Sequence, residues 1–227
     1  MHRVLFLGAL QTAAHSQDSL GRVKMKGISM ADNTPAIADP ASLGLAGFGM
    51  TTFVLSVFNA GILHLTLEGV VLPLTIFYGG IAQLLAGMWE FKRGNVFGTV
   101  AFTSYGAFWL SFYWYVHAIA GGLPGAEAYK ATGLFLLAWK IFTAIMPIAA
   151  FGLNGVIKTL FVVLLITFIL LVIGDFATGT AAGPDIWTKI GGWAGIVTAL
   201  IAWYGVLGGV VNSVFGREAV PMFAKKA

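Results

Sequence analysis

Residues 78–95 read YGGIAQLLAGMWEFKRGN. Most of the stretch is apolar enough for lipid, yet it carries an amide at Gln83 and a carboxylate at Glu90. Gly80, Gln83, Gly87 and Glu90 follow one another at steps of three, four and three, which puts them on one face of a helix. Glycines on a face let a neighbouring helix approach closely. The stretch is therefore predicted to be a membrane helix whose polar face turns into the protein. Gln83 has two open readings, interhelical hydrogen bonding or lining a solute path. Glu90, beside Lys92 and Arg93, reads as an ion pair or a bond to a neighbouring helix, with a proton relay as the alternative.

Composition supports the membrane. The 227 residues are 58% hydrophobic and 10% charged, with mean hydropathy +0.87. Soluble domains carry roughly 25% charged residues, so this chain cannot cover a globular surface with polar groups. The formal charge of +4 is scattered at the ends of apolar runs and forms no basic stripe, which argues against nucleic acid as a partner. The chain has no cysteine, so disulfides and thiolate metal sites are excluded. His64 and His117 form no metal-ligand set, and there is no phosphate loop. Neither a metal nor another cofactor is expected. No paired acid and base or nucleophile–base set stands at helical spacing, so the chain reads as a non-enzyme.

A spanning helix needs about 20 mostly apolar residues. Six stretches qualify, at 43–65, 70–91, 96–119, 131–153, 156–173 and 186–207, separated by turn-prone breaks at 92–95, 121–125, 154–155 and 178–184. Backbone groups in lipid must be satisfied internally, which makes helices the reading. The fold class is all-α integral membrane protein with six transmembrane helices. Lys and Arg are concentrated before the first span, in the second and fourth loops and at the C-terminus, which predicts a multi-pass protein with both termini cytoplasmic. Residues 1–38 read as an N-terminal extension, expected to be poorly ordered and outside the functional part. It weakly resembles a signal peptide, and a start at Met30 is the simpler account. Residues 39–215 read as one six-helix domain, and residues 216–227 as a cytoplasmic tail.

Several side chains inside the spans call for a role. Gly44, Phe48, Thr51, Leu55 and Asn59 share one helical side, which mixes an aromatic, a hydroxyl and an amide. Asp39 and Pro40 suit an N-cap and a first helical position. Thr103, Ser104 and Tyr105 bring three hydroxyls near mid-membrane, and a central Tyr needs a partner for its hydroxyl. Lys140 lies in the middle of the fourth span, and an intramembrane lysine is a functional candidate by default.

In order along the chain, LGLAGFGMTT (43–52), NAGI (59–62), FYGGIAQLLAG (77–87), FKRGN (91–95), AFTSYGAFW (101–109) and GGW (191–193) resemble the acetate uptake transporter family. That family comprises the bacterial succinate–acetate permeases and the yeast ammonia/acetate exporters. The resemblance covers residues 39–215. It implies a six-helix protomer around a narrow pore, a hexamer, and transport of acetate and related short carboxylates across the plasma membrane (the inner membrane in a Gram-negative cell). It also implies a constriction at Phe48, Tyr105 and Leu164, with Ala202 influencing which carboxylates pass. Asp39 and Ser42 depart from the family's Asn-Pro-x-Pro-Leu-Gly-Leu signature, Gly209 stands where the family often has Glu, and Lys140 is outside its pattern.

On this reading Thr51, Asn59, Gln83 and Thr103 supply donors to a partly dehydrated carboxylate without a countercharge that would trap it. The three-residue ring excludes larger solutes and can gate by dewetting. Proton coupling fits an apolar ring, which passes a neutral acid more readily than its anion, and Glu90 and Lys140 stand as relay candidates or structural charges. The competing readings are a channel for small neutral solutes or ammonia, and a non-transporting membrane sensor or scaffold.

Overall fold

The computed structural model describes residues 37–124, 127–178 and 184–224. The expectations about the N-terminal extension fall on residues outside these. Ala38–Ala227 form one compact unit. Among the described residues every regular element is helical.

Helix α1 is Ala41–Asn59. Helix α2 runs over Leu65–Arg93, opening as a tight 3-10 turn at Leu65–Val70, relaxing to α-helix at Val71–Ile76, widening further to π-helix at Phe77–Ala82 and closing as α-helix at Gln83–Arg93. Helix α3 is Val96–Trp114, extended by a π-turn at Tyr115–Ile119. Helices α4, α5 and α6 are Ala128–Ala150, Gly155–Thr178 and Ile186–Phe215. The last is longer than its expected span because no break intervenes before Gly216, whose φ of 62° ends it.

Local chemistry accounts for the ends. Asn95 caps α3 by accepting the Gly98 N–H at 3.1 Å. Asp185 caps α6 by accepting the Thr188 N–H at 2.7 Å. At α1 the expectation is corrected: Pro40 takes the N-cap place with helical φ and ψ, and Asp39 reaches past it to the Ala41 N–H at 2.9 Å. Gly94, at φ 76°, closes α2 in the left-handed conformation a glycine adopts without Cβ strain.

Among the described residues five helices are long and apolar enough to cross a membrane: α1, α2, α4, α5 and α6. The expected count of six stands at five by this measure. Helix α3 has a 19-residue α-helical run like α1, but Thr99, Thr103, Ser104, Tyr105 and Ser111 dilute its apolarity.

The packing follows side-chain size. Helix α1 packs most extensively on α6, α6 on α5, α5 on α4, and α2 on α3 and α1. Small residues make the closest seams. Gly192 of α6 lies against the backbone of Asn59 and Ala60, and Gly87 of α2 against Thr103, where a Cβ would collide. The α3–α4 seam is different: the backbones stand apart and large side chains fill the gap. Trp139 and Phe108 meet edge to face at 5.2 Å, and Tyr115 stacks on Phe135 at 5.5 Å. The Tyr115 hydroxyl lies 2.7 Å from that of Thr132. The helices thus follow one another around a ring, closed between α3 and α4 by aromatic side chains.

Candidate functional site

Among the described residues a larger and a smaller cavity lie inside this ring. The larger, ≈ 270 Å³, reaches the connections α1–α2, α3–α4 and α5–α6 through Asn59, Glu68, Ala120, Thr132, Asp175 and Thr188. The smaller, ≈ 30 Å³, lies toward the other end, among Gln83, Phe97, Ile157 and Phe161. Three residues belong to both walls: Phe48, Tyr105 and Leu164. All three are buried. Phe48 and Tyr105 face each other with ring centroids 5.8 Å apart. The Tyr105 hydroxyl finds its partner in Thr143, 2.9 Å away on α4.

Other residues singled out in the sequence are placed as follows. Asn59 lines the larger cavity and Gln83 the smaller. Gln83 is 1% exposed and its Oε1 has no hydrogen-bond partner. Thr51, Thr103 and Ala202, also expected on the substrate path, line neither of these two cavities. Thr51 turns to its own helix and to α2, donating to the Gly47 carbonyl at 2.9 Å. Thr103 packs against Gly87, and Ala202 against Gly49.

The residues that sequence reasoning missed are Thr52, Ser56, Trp109, Glu68, Asp175 and Thr188, all in the wall of the larger cavity. Thr52 lies one residue round the helix from Thr51, and Ser56 one residue round from Leu55. A face running Phe48, Thr52, Leu55, Ser56, Asn59 fits the 3.6-residue period as well as the face chosen from the sequence. Thr52 Oγ1 and Trp109 Nε1 are both buried without a partner. Buried polar groups in folded chains are nearly always bonded, and these two sit on residues lining a cavity. Glu68 and Asp175 stood out little because each lies near the end of a helix, where an acidic residue reads as a solvated terminus.

Glu90 is 0% exposed and lines neither cavity. Its Oε2 accepts from Asn95 Nδ2 at 3.0 Å and lies 3.5 Å from Arg93, which pairs with Asp39 at 2.8 Å. This chain of charges ties the start of α1 to the end of α2. Lys140 is half-buried and joins no ion pair among the described residues. Among the described residues the larger cavity is lined by aromatic and aliphatic side chains, hydroxyls, one amide and two carboxylates, with no Lys, Arg or His.

A ring of membrane helices enclosing two cavities that meet at three side chains is the build of a protein that passes small solutes. The chain belongs to the GPR1/FUN34/yaaH family, which it matches over residues 23–223. It is 40% identical over 186 residues to the succinate-acetate/proton symporter SatP of Escherichia coli, covering 82% of this chain and 95% of that protein. Acetate permease A of Emericella nidulans is 40% identical over 78% of this chain, and ammonia transport outward protein 2 of Saccharomyces cerevisiae 40% identical over 77%. The chain spans 62% of the length of each of these two. The solved structure of the bacterial acetate channel SatP superposes with a TM-score of 0.73 at 40% identity, covering 82% of this chain and 99% of that one.

Proposed function

We propose that this protein moves acetate and related short-chain carboxylates, succinate among them, across the membrane together with protons. The observation that carries the reading is the shared wall. Phe48, Tyr105 and Leu164 stand between the two cavities, in a chain whose relatives include an acetate permease and a succinate-acetate/proton symporter. A solute leaving one cavity for the other must pass these side chains. An apolar ring there sets a dehydration barrier that is steep for an anion and low for a small neutral acid. Asn59 on one side and Gln83 on the other offer neutral donors that replace lost water without holding the solute. No enzymatic step is part of this reading.

In this reading α3 also crosses the membrane, giving six spans. The hydroxyls of Thr99, Tyr105 and Ser111 on it find partners within the protein, Tyr105 in Thr143. The concentration of Lys and Arg at the even-numbered connections and the C-terminal tail supports cytoplasmic termini in a plasma or inner membrane. The larger cavity then faces outward. The protomers assemble as a hexamer, each with its own path.

The test is uptake of labelled acetate into proteoliposomes, with and without an imposed inward proton gradient. Uptake above that of empty vesicles, raised by the gradient, is the expected result. No uptake above empty vesicles, with the protein inserted and folded, overturns the reading. Ammonia competing as well as succinate for the same path would favour a neutral-solute channel instead.

A further inference from the structure

The larger cavity has a lining that a carboxylate path does not obviously want. Glu68, in the 3-10 opening of α2, and Asp175, in the last turn of α5, both line it, and among the described residues no basic side chain does. Asp175 keeps its Oδ2 buried and without a hydrogen-bond partner. Asp185, the α6 cap, is the charged group whose field acts on Asp175, and no charge acts comparably on Glu68. Burial pushes the Asp185 pKa up, but hydrogen bonds from Thr188 and the Trp187 backbone bring it below the ordinary carboxylate range, so Asp185 stays ionised. Neither His64 nor Lys189 is among the residues that line the cavity. His64 Nδ1 lies 3.0 Å from the Thr66 hydroxyl of its own turn, and Lys189 lays its stem over Gly61. Residues 179–183, Gly-Thr-Ala-Ala-Gly, hold no ionisable side chain.

Two other residues of the same wall carry buried polar groups without partners. Thr52 and Trp109 are 7% and 2% exposed, and neither Thr52 Oγ1 nor Trp109 Nε1 has a hydrogen-bond partner. The cavity therefore combines negative charge where the helix connections meet it with uncommitted neutral donors in its wall. With both mouth side chains ionised a bare carboxylate is repelled there; with Asp175 protonated it can approach and be neutralised.

We propose that Asp175, with Glu68 at the same mouth, is the proton-loading group of the transport path. Protonated Asp175 gives its proton to the arriving carboxylate: one O–H bond breaks on the side chain and one forms on the substrate. The neutral acid moves on toward Phe48, Tyr105 and Leu164. Asp175, left ionised near Asp185, regains a proton from the outside solution. The assignment rests on the carboxylate-transport reading and moves the coupling away from Glu90 and Lys140.

The test is the initial rate of labelled-acetate uptake, above empty liposomes, across external pH for the wild type, Asp175→Asn, Glu68→Gln and the double variant. The wild-type rate should hold up toward neutral pH, because the side chain delivers the proton. The Asp175→Asn rate should instead track the free acid, falling about tenfold per pH unit above the acid's own pKa. Asp175→Glu should restore the wild-type profile. A profile unchanged by Asp175→Asn, or an equal loss at every pH that marks a structural role, overturns the proposal. A second readout needs no variant: adding acetate to purified protein in weak buffer should draw protons from solution, and no proton uptake on binding also overturns it. A wild type that moves no acetate at any pH overturns the carboxylate reading and this assignment with it, an outcome distinct from transport with an unaltered profile.

Discussion

Tyr105 of α3 holds its hydroxyl 2.9 Å from that of Thr143 of α4, across the one seam of the ring where the backbones stand apart. The same ring of Tyr105 faces Phe48 between the two cavities. One residue therefore closes the bundle and narrows its path. Interhelical hydrogen bonds in membranes are worth roughly 0.6–2 kcal/mol. Thr143→Val, which removes the partner and keeps the shape, is expected to lower stability by about 1 kcal/mol in thermal unfolding of the detergent-solubilised protein. A melting curve identical to wild type would show that the bond is not formed.

Leu164 is 4% exposed and lies in the wall common to both cavities. Leu164→Ala removes the aliphatic side of the ring. One methylene in an apolar site changes discrimination by roughly 10- to 200-fold, so uptake of butyrate relative to acetate should rise about tenfold. Competition between the two acids in proteoliposomes measures it. Unchanged selectivity in a folded variant places the barrier elsewhere.

Glu90 bonds Asn95 and Arg93 and touches neither cavity. Its removal should be felt in stability and not in coupling. Glu90→Ala is expected to lower stability by about 1–3 kcal/mol, since it strands buried polar partners. Glu90→Gln, which keeps the volume, should lose less. Both should retain the wild-type dependence of acetate uptake on pH. A flattened profile in folded Glu90→Gln would make this carboxylate a relay.

Lys140 is half-buried, lines neither cavity and has no ion-pair partner among the described residues. Its long stem can carry the ammonium toward more polar surroundings. Lys140→Met, similar in length and uncharged, should leave the rate of acetate uptake within about twofold of wild type, as for a substitution outside the path. A loss of flux with normal assembly would make Lys140 part of the transport machinery.

Asp185 caps α6, and its pKa lies below the ordinary carboxylate range: burial pushes it up, while hydrogen bonds from Thr188 and Trp187 lower it further. A carboxylate with a depressed folded pKa stabilises the protein above its unfolded value, and that contribution disappears as pH falls through the folded value. The stabilisation is therefore complete at neutral pH and lost in acid below about 3.9. Asp185→Asn, which can still cap, should flatten this acid limb. Asp185→Ala should cost about 1 kcal/mol at neutral pH. Unfolding midpoints measured across pH check both.

Much of the architecture was legible in the residues. Helical runs near 20 apolar residues admit few alternatives in lipid, because every backbone group must be bonded within the segment. The inward face of Gly80, Gln83, Gly87 and Glu90 was legible because glycine and amide recur at helical spacing, and all four are buried. The motifs from LGLAGFGMTT to GGW sufficed to recognise the family. Asn59 and Gln83, which line the two cavities, stood out because an amide in an apolar run is costly in lipid and must turn toward a protein partner or water.

Tertiary structure decided which face of each helix meets the cavity and what each polar group bonds. Thr51 and Thr52 are neighbours, and periodicity cannot choose between them. The contact of Gly79 with Thr51 settles the matter by turning Thr51 toward α2 and leaving Thr52 in the cavity wall. Gln83 and Glu90 share a face, yet one reaches a cavity and the other an ion pair, because α2 widens to a π-helix before Gln83 and ends beside Asn95 after Glu90. Glu68 and Asp175, far apart in the chain, meet one cavity only because α5 and the start of α2 approach the same end of the ring. Hydrophobicity and period are properties of a segment and can be read along it. The partner of a buried polar group is a property of the neighbouring helix, and that appears only when the helices have packed.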